Sequence, residues 1–411
     1  MMISLINIGY DIGDLTVNAF NAIIESDVII NYDDFDLSSL ETYIKDKEIY
    51  DKDCIEEDED SEDALSNDSI NGSEDASSND SVNGSEDIIS LDEDSEEMSK
   101  DIEDSIYAKL NKAYGLIELA ISKSFDSDVV IISSNNRNIH GISNLLIQIS
   151  SKYDDVNLKV YPGVSPIEYA SSLLGAPLND FVSINLNNPL VSQSELQNKI
   201  NFALKNDFII FVHNPKASFI SKEAENDNFN ILKESINKFN SELLIGIVND
   251  SSYEICKLAD IDEEMIDENS TLIIGNKLSY ELEGFMVNSC DYIVEPKFIS
   301  QNIDFFERYL KDETPKGLDY DCDYLPCHKS LEACDFCYCP FYPCADGVTG
   351  GEWIKGKDIW SCQYCDWIHL ENPCQTIRKG LEDILEDKND LKTKHVELLK
   401  LRRESLLNTL K

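Results

Sequence analysis

Positive charge is scarce in this sequence. Its 411 residues carry 34 lysines and arginines against 80 aspartates and glutamates, a formal net charge of −46. A nucleic-acid surface needs a basic footprint, and an anionic membrane surface attracts basic segments, so the balance disfavours both partners. Long apolar runs are missing too: no stretch of 18 apolar residues occurs, which excludes a membrane-spanning helix. Met1–Gly13 lacks the basic start and apolar run of a secretory signal, so the expected setting is the cytoplasm, where thiols stay reduced.

What the chain does have is clustered cysteine. Nine of its 12 cysteines fall between Cys322 and Cys374, while Cys54, Cys256 and Cys290 are scattered. A thiolate holds a soft metal well only when other ligands share the centre. Two C-x2-C pairs, Cys334/Cys337 and Cys362/Cys365, stand beside Cys327, Cys339, Cys344, His328 and His369. In a reducing compartment this pattern reads as metal binding rather than as a disulfide framework. Two tetrahedral zinc sites would use eight of these nine candidates; an iron–sulfur cluster is the alternative. Cys322 and Cys374, at the edges, read as free. The metal is expected to fold a piece too small to have its own core.

The acidity is uneven. Residues 54–105 contain 21 acidic side chains and one lysine, and include a tandem repeat, Ser66–Ser77 followed by Ser78–Asp87. Such a Ser/Asn/Asp/Glu/Gly segment cannot bury enough apolar surface to fold, so a disordered insertion in a surface loop is expected.

Around that insertion, apolar runs alternate with helical patterns. Strands are expected at Ile3–Ile8, Asp27–Asn31, Asp128–Ser133 and Leu158–Tyr161, with helices at Thr16–Ser26, Ile106–Ser122 and Ile142–Ser151. A second series follows, with strands at Phe181–Leu186, Asp207–His213, Leu243–Val248, Ser270–Ile274 and Gly284–Val287. In the first series, strands apolar throughout and alternating with helices imply a parallel sheet covered on both faces, and the second series reads as a second α/β domain. The predicted organisation is an α/β domain over 1–161 interrupted by 54–105, a second over 162–300, a cysteine module over 319–374 and an amphipathic helical tail over 376–411. That tail reads as packing or dimer surface.

Several stretches carry a family resemblance. They are Leu15–Tyr32 (LTVNAFNAIIESDVIINY), Val129–Ser134 (VVIISS), Val160–Ser165 (VYPGVS), Leu173–Phe181 (LLGAPLNDF), Phe211–Ser218 (FVHNPKAS) and Thr271–Asn276 (TLIIGN). In order and spacing the chain outside the insertion resembles the tetrapyrrole methylases, nearest the branch of precorrin-3B (cobalt-precorrin-3) C(17)-methyltransferases. The cysteine stretch resembles a small cysteine-rich domain found fused to such enzymes in methanogenic archaea. The resemblance implies a two-domain, S-adenosylmethionine-dependent, homodimeric enzyme of cobalamin biosynthesis that methylates a tetrapyrrole at carbon 17 with ring contraction. The sequence departs from the family at Asn7–Asp11 and at Ser133–Gly141, where expected glycines and a proline are replaced. Those replacements leave open a degenerate methylase that binds tetrapyrrole or metal without turnover.

Carried onto matching positions, the resemblance implies donor-binding roles for Gly9, Ser133, Ser134, Asn136, Pro162, Gly163, Val164, Ser165, Asn214, Pro215, Gly275 and Asn276. Ser165-Pro166 also reads as a helix N-cap followed by a first-turn proline. Ring contraction needs proton transfer, for which His213 and His140 are the candidates, both just past an apolar strand run. Arg137 and Lys216 are the expected cations for the substrate's carboxylates.

Overall fold

The structure, a computed structural model, describes residues 2–9, 12–51, 54, 111–134, 142–188, 190–216, 222–249, 252–261, 263–267, 270–288, 296 and 300–410. The tandem repeat, Asn136, Arg137, His140 and Cys290 lie outside the described residues. The chain divides into two compact units, one through Glu168 and the other taking in Tyr169–Lys216 and Asn226–Lys411. Among the described residues no helix is long and apolar enough to cross a membrane.

In the first unit, β1 (Met2–Ile8), β2 (Val28–Asn31), β3 (Glu48–Tyr50), β4 (Val129–Ser134) and β5 (Asn157–Tyr161) form one sheet in the order β3-β2-β4-β1-β5. Every pairing in it is parallel. Its helices are α1 (Val17–Glu25), α2 (Glu41–Ile44), α3 (described over 111–124) and α4 (Ser143–Ser150). Alternate side chains leave a strand on opposite faces. Ile3, Leu5, Val28, Ile30, Val129 and Ile131 accordingly meet Leu116, Ile117 and Ala120 of α3 and Leu146 and Ile149 of α4. Ile6, Ile8, Ile29, Val130 and Ile132 meet Ala19 and Ile23 of α1 with Leu40 and Ile44. Each such side chain, fully buried, contributes roughly 1.5–3 kcal/mol. Thr16 starts α1, its Oγ1 accepting the Ala19 N–H at 3.2 Å.

The second unit holds β6 (Phe181–Asn185), β7 (Ile209–His213), β8 (Leu244–Asn249), β9 (Ser252–Lys257) and β10 (Thr271–Ile274) in the order β6-β7-β10-β8-β9. This sheet is mixed. β6 and β7 are parallel, but β10 runs antiparallel between β7 and β8, and β9 returns antiparallel on β8. The expected strand at Gly284–Val287 does not join this sheet. It is β12 (Phe285–Val287), paired with β11 (Tyr280–Leu282) in a separate hairpin. Helices α5 (Pro166–Leu174), α6 (Gln193–Lys205) and α7 (Lys222–Asn240) complete this part. Gly246 is required on β8, because a Cβ there would lie 2.4 Å from a Leu174 methyl of α5.

The cysteine stretch contains one short hairpin, β13 (Glu352–Trp353) with β14 (Trp360–Ser361), two single-turn 3-10 helices at Gly347–Thr349 and Trp367–His369, and otherwise turns and loops. Around it are α8 (Ser300–Tyr309), α9 (Glu371–Ile384), α10 (Asp390–Thr393) and α11 (His395–Thr409). The module does not lack a core: Phe336, Phe341, Trp367 and Ile368 are buried with Phe305 and Phe306 of α8, Ile377 and Leu381 of α9 and Leu398 and Leu406 of α11. The tail predicted at 376–411 is therefore the wall of the module's core. α9 and α11 approach closely at Gly380, where a Cβ would meet Leu401 at 2.3 Å.

Candidate metal centre and strand-end sites

The eleven described cysteines are unpaired thiols. Eight of them fall into two neighbourhoods. Burial pushes Cys337 up to about 11, and Cys334, Cys327, Cys322 and Asp319 push it the same way. Cys334 is raised by burial and by Cys327, Asp319 and Cys322, while the Asp319 N–H, donating to its sulfur at 3.5 Å, opposes the rise. The second neighbourhood holds Cys339, Cys344, Cys362 and Cys365. Burial drives Cys339 far above the ordinary thiol range, with Cys362, Cys344 and Cys365 adding to it. Cys362 and Cys365 are each raised to about 12, by burial first and neighbouring thiols next. The Phe341 N–H donates to Cys339 Sγ at 3.4 Å, and Cys344 Sγ lies 3.7 Å from Thr349 Oγ1.

The raised thiols of Cys334, Cys337, Cys339, Cys344, Cys362 and Cys365 favour the protonated form, and a bound cation would invert that preference by favouring thiolate. Among the described residues, no three His, Cys, Asp or Glu side chains are drawn together closely enough to hold a metal ion. The donor set nevertheless fits thiolate-preferring metals: four sulfurs per neighbourhood, with N–H groups already directed at Cys334 and Cys339.

The two histidines pair with each other. The rings of His328 and His369 lie 4.2 Å apart, tilted by 31° to each other. His328 Nδ1 lies 3.3 Å from Asp366 Oδ1, and His369 Nδ1 lies 3.3 Å from the Ala333 carbonyl. Burial pushes His369 down to about 4, and the His328 charge acts in the same direction. Both rings line a cavity of about 230 Å³ together with Cys337, Cys339, Cys362 and Cys365. Cys374 stands apart on α9, its thiol donating to the Ile368 carbonyl at 3.0 Å. The Arg402 guanidinium of α11 bonds Asp346 at 2.7 Å with both side chains nearly inaccessible, tying the tail to the module.

In the first unit, the ends of β1 and β4 lie side by side, Asn7 opposite Ser133 and Ile8 opposite Ser134. Asn7 is 6% exposed and its Oδ1 has no hydrogen-bond partner among the described residues. Pro162-Gly163 passes directly over it, since a Cβ on Gly163 would sit 2.1 Å from the Asn7 carbonyl oxygen. Gly9 is equally constrained, its Cβ position lying 2.6 Å from Asp14. Ser133 Oγ donates to Asp33 at 3.0 Å. Ser165 accepts the Glu168 N–H at 3.4 Å, the expected helix cap, and Val164 lies between it and Gly163. The unpartnered acyl oxygen and a glycine-lined approach fit a small polar ligand such as S-adenosylmethionine.

In the second unit, His213 ends β7, stacked on Phe211 at 6.2 Å. The loop after it, with Asn214 at φ 51°, is held by asparagines. Asn187 Nδ2 donates to the carbonyls of Asn214 at 2.8 Å and Pro215 at 2.9 Å. Asn187 Oδ1 accepts from Asn228 at 3.0 Å, and Asn214 Nδ2 donates to Asn185 at 3.2 Å. Lys216 follows directly. Gly275 and Asn276 do not join this group. Because β10 is antiparallel, Ile274 pairs with Ile210, and Asn276 donates to the Asp207 carbonyl at the start of β7. They lie at the opposite end of the sheet from His213, where Asn276 caps a turn with Ser279.

Sequence reasoning missed Asp33, Asn187 and Cys322. For Cys322 a signal existed: each thiol neighbourhood reads as a C-x4-C pair plus a C-x2-C pair, Cys322/Cys327 with Cys334/Cys337 and Cys339/Cys344 with Cys362/Cys365.

Known proteins are similar to this chain in sequence. Residues 2–227 match the family described as tetrapyrrole (corrin/porphyrin) methylases, and residues 315–392 match a cysteine-rich small domain. The probable cobalt-factor III C(17)-methyltransferase of Methanothermobacter thermautotrophicus is 36% identical over 293 residues, spanning 71% of this chain and 83% of that protein. A protein of the same description from Methanocaldococcus jannaschii is 32% identical over 190 residues, 43% of this chain and 75% of its own length. The crystal structure of the methyltransferase CobJ is similar at 15% identity and a TM-score of 0.46, covering 70% of this chain and 98% of that one.

Proposed function

The chain belongs to the tetrapyrrole methylases, and from that premise we propose that it is an S-adenosylmethionine-dependent methyltransferase of cobalamin biosynthesis, acting at carbon 17 of a cobalt-precorrin-3 type macrocycle. The observation that carries this reading is the 36% identity to a C(17)-methyltransferase over 83% of that protein's length. S-adenosylmethionine, when bound, supplies an electrophilic methyl carbon, and the protein's task is to hold the acceptor against it and keep water out. Gly163 lets its backbone pack on the Asn7 carbonyl at the end of β1, and Asn7 Oδ1 offers the donor an acceptor. Asn187 fixes the backbone of Asn214 and Pro215, which present His213 on one side and Lys216 on the other. His213 moves the proton that ring contraction requires, with His140 as a second candidate, and Lys216 and Arg137 meet the macrocycle's carboxylates. The domain limits 1–161, 162–300, 319–374 and 376–411, a homodimer and a cytoplasmic setting complete the reading. Anaerobic incubation with S-adenosylmethionine and a cobalt-precorrin-3 type macrocycle should yield a product heavier by one methyl group in mass spectrometry. No binding of the donor at millimolar concentration would reduce the chain to a binding protein.

The cysteine module is proposed to hold two zinc ions, one on Cys322, Cys327, Cys334 and Cys337 and one on Cys339, Cys344, Cys362 and Cys365. The support is the sorting of eight thiols into two sets of the same spacing. His328 and His369 then stand beside the metals as a close pair of rings. Elemental analysis of anaerobically purified protein should find two zincs per chain, one in Cys322→Ser, one in Cys344→Ser and two in His369→Gln. A coloured, iron-containing sample would replace zinc with a cluster, and loss of metal in His369→Gln would restore the histidine as a ligand.

A further inference from the structure

A groove of about 660 Å³ lies within the second unit between the β11–β12 hairpin and the β13–β14 hairpin. We propose that it is a second binding site for the tetrapyrrole substrate, holding the flat polycarboxylate macrocycle on the cysteine module before methylation. The inference rests on the methylase reading for the identity of its ligand, and on the groove alone for the existence of a site.

The walls are aromatic and supported. Trp353 and Trp360 meet edge to face at 5.3 Å and 74°, and Tyr280 faces them from the other hairpin. Two glycines make this possible. A Cβ on Gly351 would lie 2.5 Å from the Trp360 indole, and one on Gly347 would lie 2.7 Å from the Tyr280 ring. Tyr280 is further fixed because its hydroxyl accepts the Gly347 N–H at 3.4 Å. Trp353 remains 39% exposed, which offers a face for stacking.

One polar atom in this wall is unsatisfied. Trp360 is 5% exposed, and its Nε1 has no hydrogen-bond partner among the described residues. Leaving a buried donor unmade costs free energy, which an acceptor reaching it would recover.

The rim supplies charge. Lys355 and Lys357 line the groove, and the Lys355 side chain is 93% exposed. Glu283 lies 3.6 Å from Lys355 across the groove, and Glu352 also lines it, so the patch is balanced. In a chain of net charge −46, a balanced patch with two lysines repels a polyanion less than an acidic one would. The volume falls within the usual range for small-molecule sites. Flat surface, one orphan donor and two lysines together describe a planar ring system with acidic arms, the chemistry of the proposed substrate.

All three tryptophans of the chain, Trp353, Trp360 and Trp367, lie in the module, so tryptophan fluorescence reports on it alone. The test is equilibrium dialysis of the metal-loaded full chain with a porphyrin octacarboxylate, alongside quenching of that fluorescence. Wild type should bind two macrocycles per chain and Trp353→Ala one, with zinc content and circular dichroism unchanged. Trp360→Phe, which keeps the ring and removes the donor, should weaken the groove site about tenfold, the equivalent of about 1.4 kcal/mol. Lys355→Glu/Lys357→Glu should weaken it at least as much. In turnover, Trp353→Ala should raise KM for the macrocycle and leave kcat in place. Wild-type stoichiometry in Trp353→Ala and in the double lysine variant overturns the proposal, as does equal binding of the neutral porphyrin ester. Absence of methyl transfer in wild type sinks the methylase reading instead, because the dialysis result does not depend on turnover.

Discussion

The first sheet ends in a buried Asn7 whose Oδ1 has no partner among the described residues, while the second ends in Asn185, Asn187, Asn214 and Asn228 bonded to one another and to their own loop. The two arrangements separate binding from positioning. A buried acceptor left open lowers stability and gains only when a ligand arrives, whereas a closed network rigidifies the backbone it holds. The cysteine module contains both kinds. Its Trp360 Nε1 is open, and its Arg402–Asp346 pair is closed.

Breaking a closed pair should cost the most. Arg402→Met strands the Asp346 carboxylate in the interior and is expected to lower stability by about 3–5 kcal/mol, read by denaturant unfolding followed through tryptophan fluorescence. Asn187→Ala comes next. It removes donors from two carbonyls and should cost about 2–4 kcal/mol in denaturant unfolding followed by far-ultraviolet circular dichroism. Turnover should fall with it as the His213–Pro215 loop loosens. An unchanged kcat would show that the loop is not part of the site.

Opening-type positions should respond in the opposite sense. Asn7→Leu removes an unpartnered polar group at nearly constant shape, so the ligand-free protein should gain about 1–3 kcal/mol. Its affinity for S-adenosylmethionine should fall about tenfold by calorimetry. Loss of stability would mean that Asn7 was already satisfied. The smallest effect concerns Asp390 at the surface. N–H groups of Glu386 and Asp387, and the Lys394 ammonium, hold its carboxyl down to about 2 from the usual 3.8. The charged form is thus favoured by folding, and this contribution is present above the ordinary carboxylate value and lost as pH falls toward 2. Asp390→Asn should remove that part of the acid dependence, seen as a flatter unfolding midpoint between pH 4 and pH 2, with neutral-pH stability little changed.

Much of the fold was legible because β1, β2, β4, β7 and β8 are buried on both faces and read as continuous apolar runs. β3 and β9 were missed because Glu48–Tyr50 and Ser252–Lys257 are mostly exposed and carry no such run. The direction of β10 was invisible, since the apolar string Thr271–Ile274 reads the same in a parallel or an antiparallel ladder. That single reversal moved Gly275 and Asn276 to the far end of the sheet. Asp33 and Asn187 carried no sequence signal, because their roles come from partners 100 and about 27 residues away.

The sequence by itself determined the α/β alternation, the family, the concentration of thiols between Cys322 and Cys374 and the acidity of the chain. These are properties of composition and local order, which survive without coordinates. Tertiary structure decided which thiols are neighbours, which histidines pair with each other, which strand ends share an edge and that the tail encloses the module. Those depend on contacts between distant segments, where the backbone direction of one strand or the stacking of one ring outweighs any local pattern.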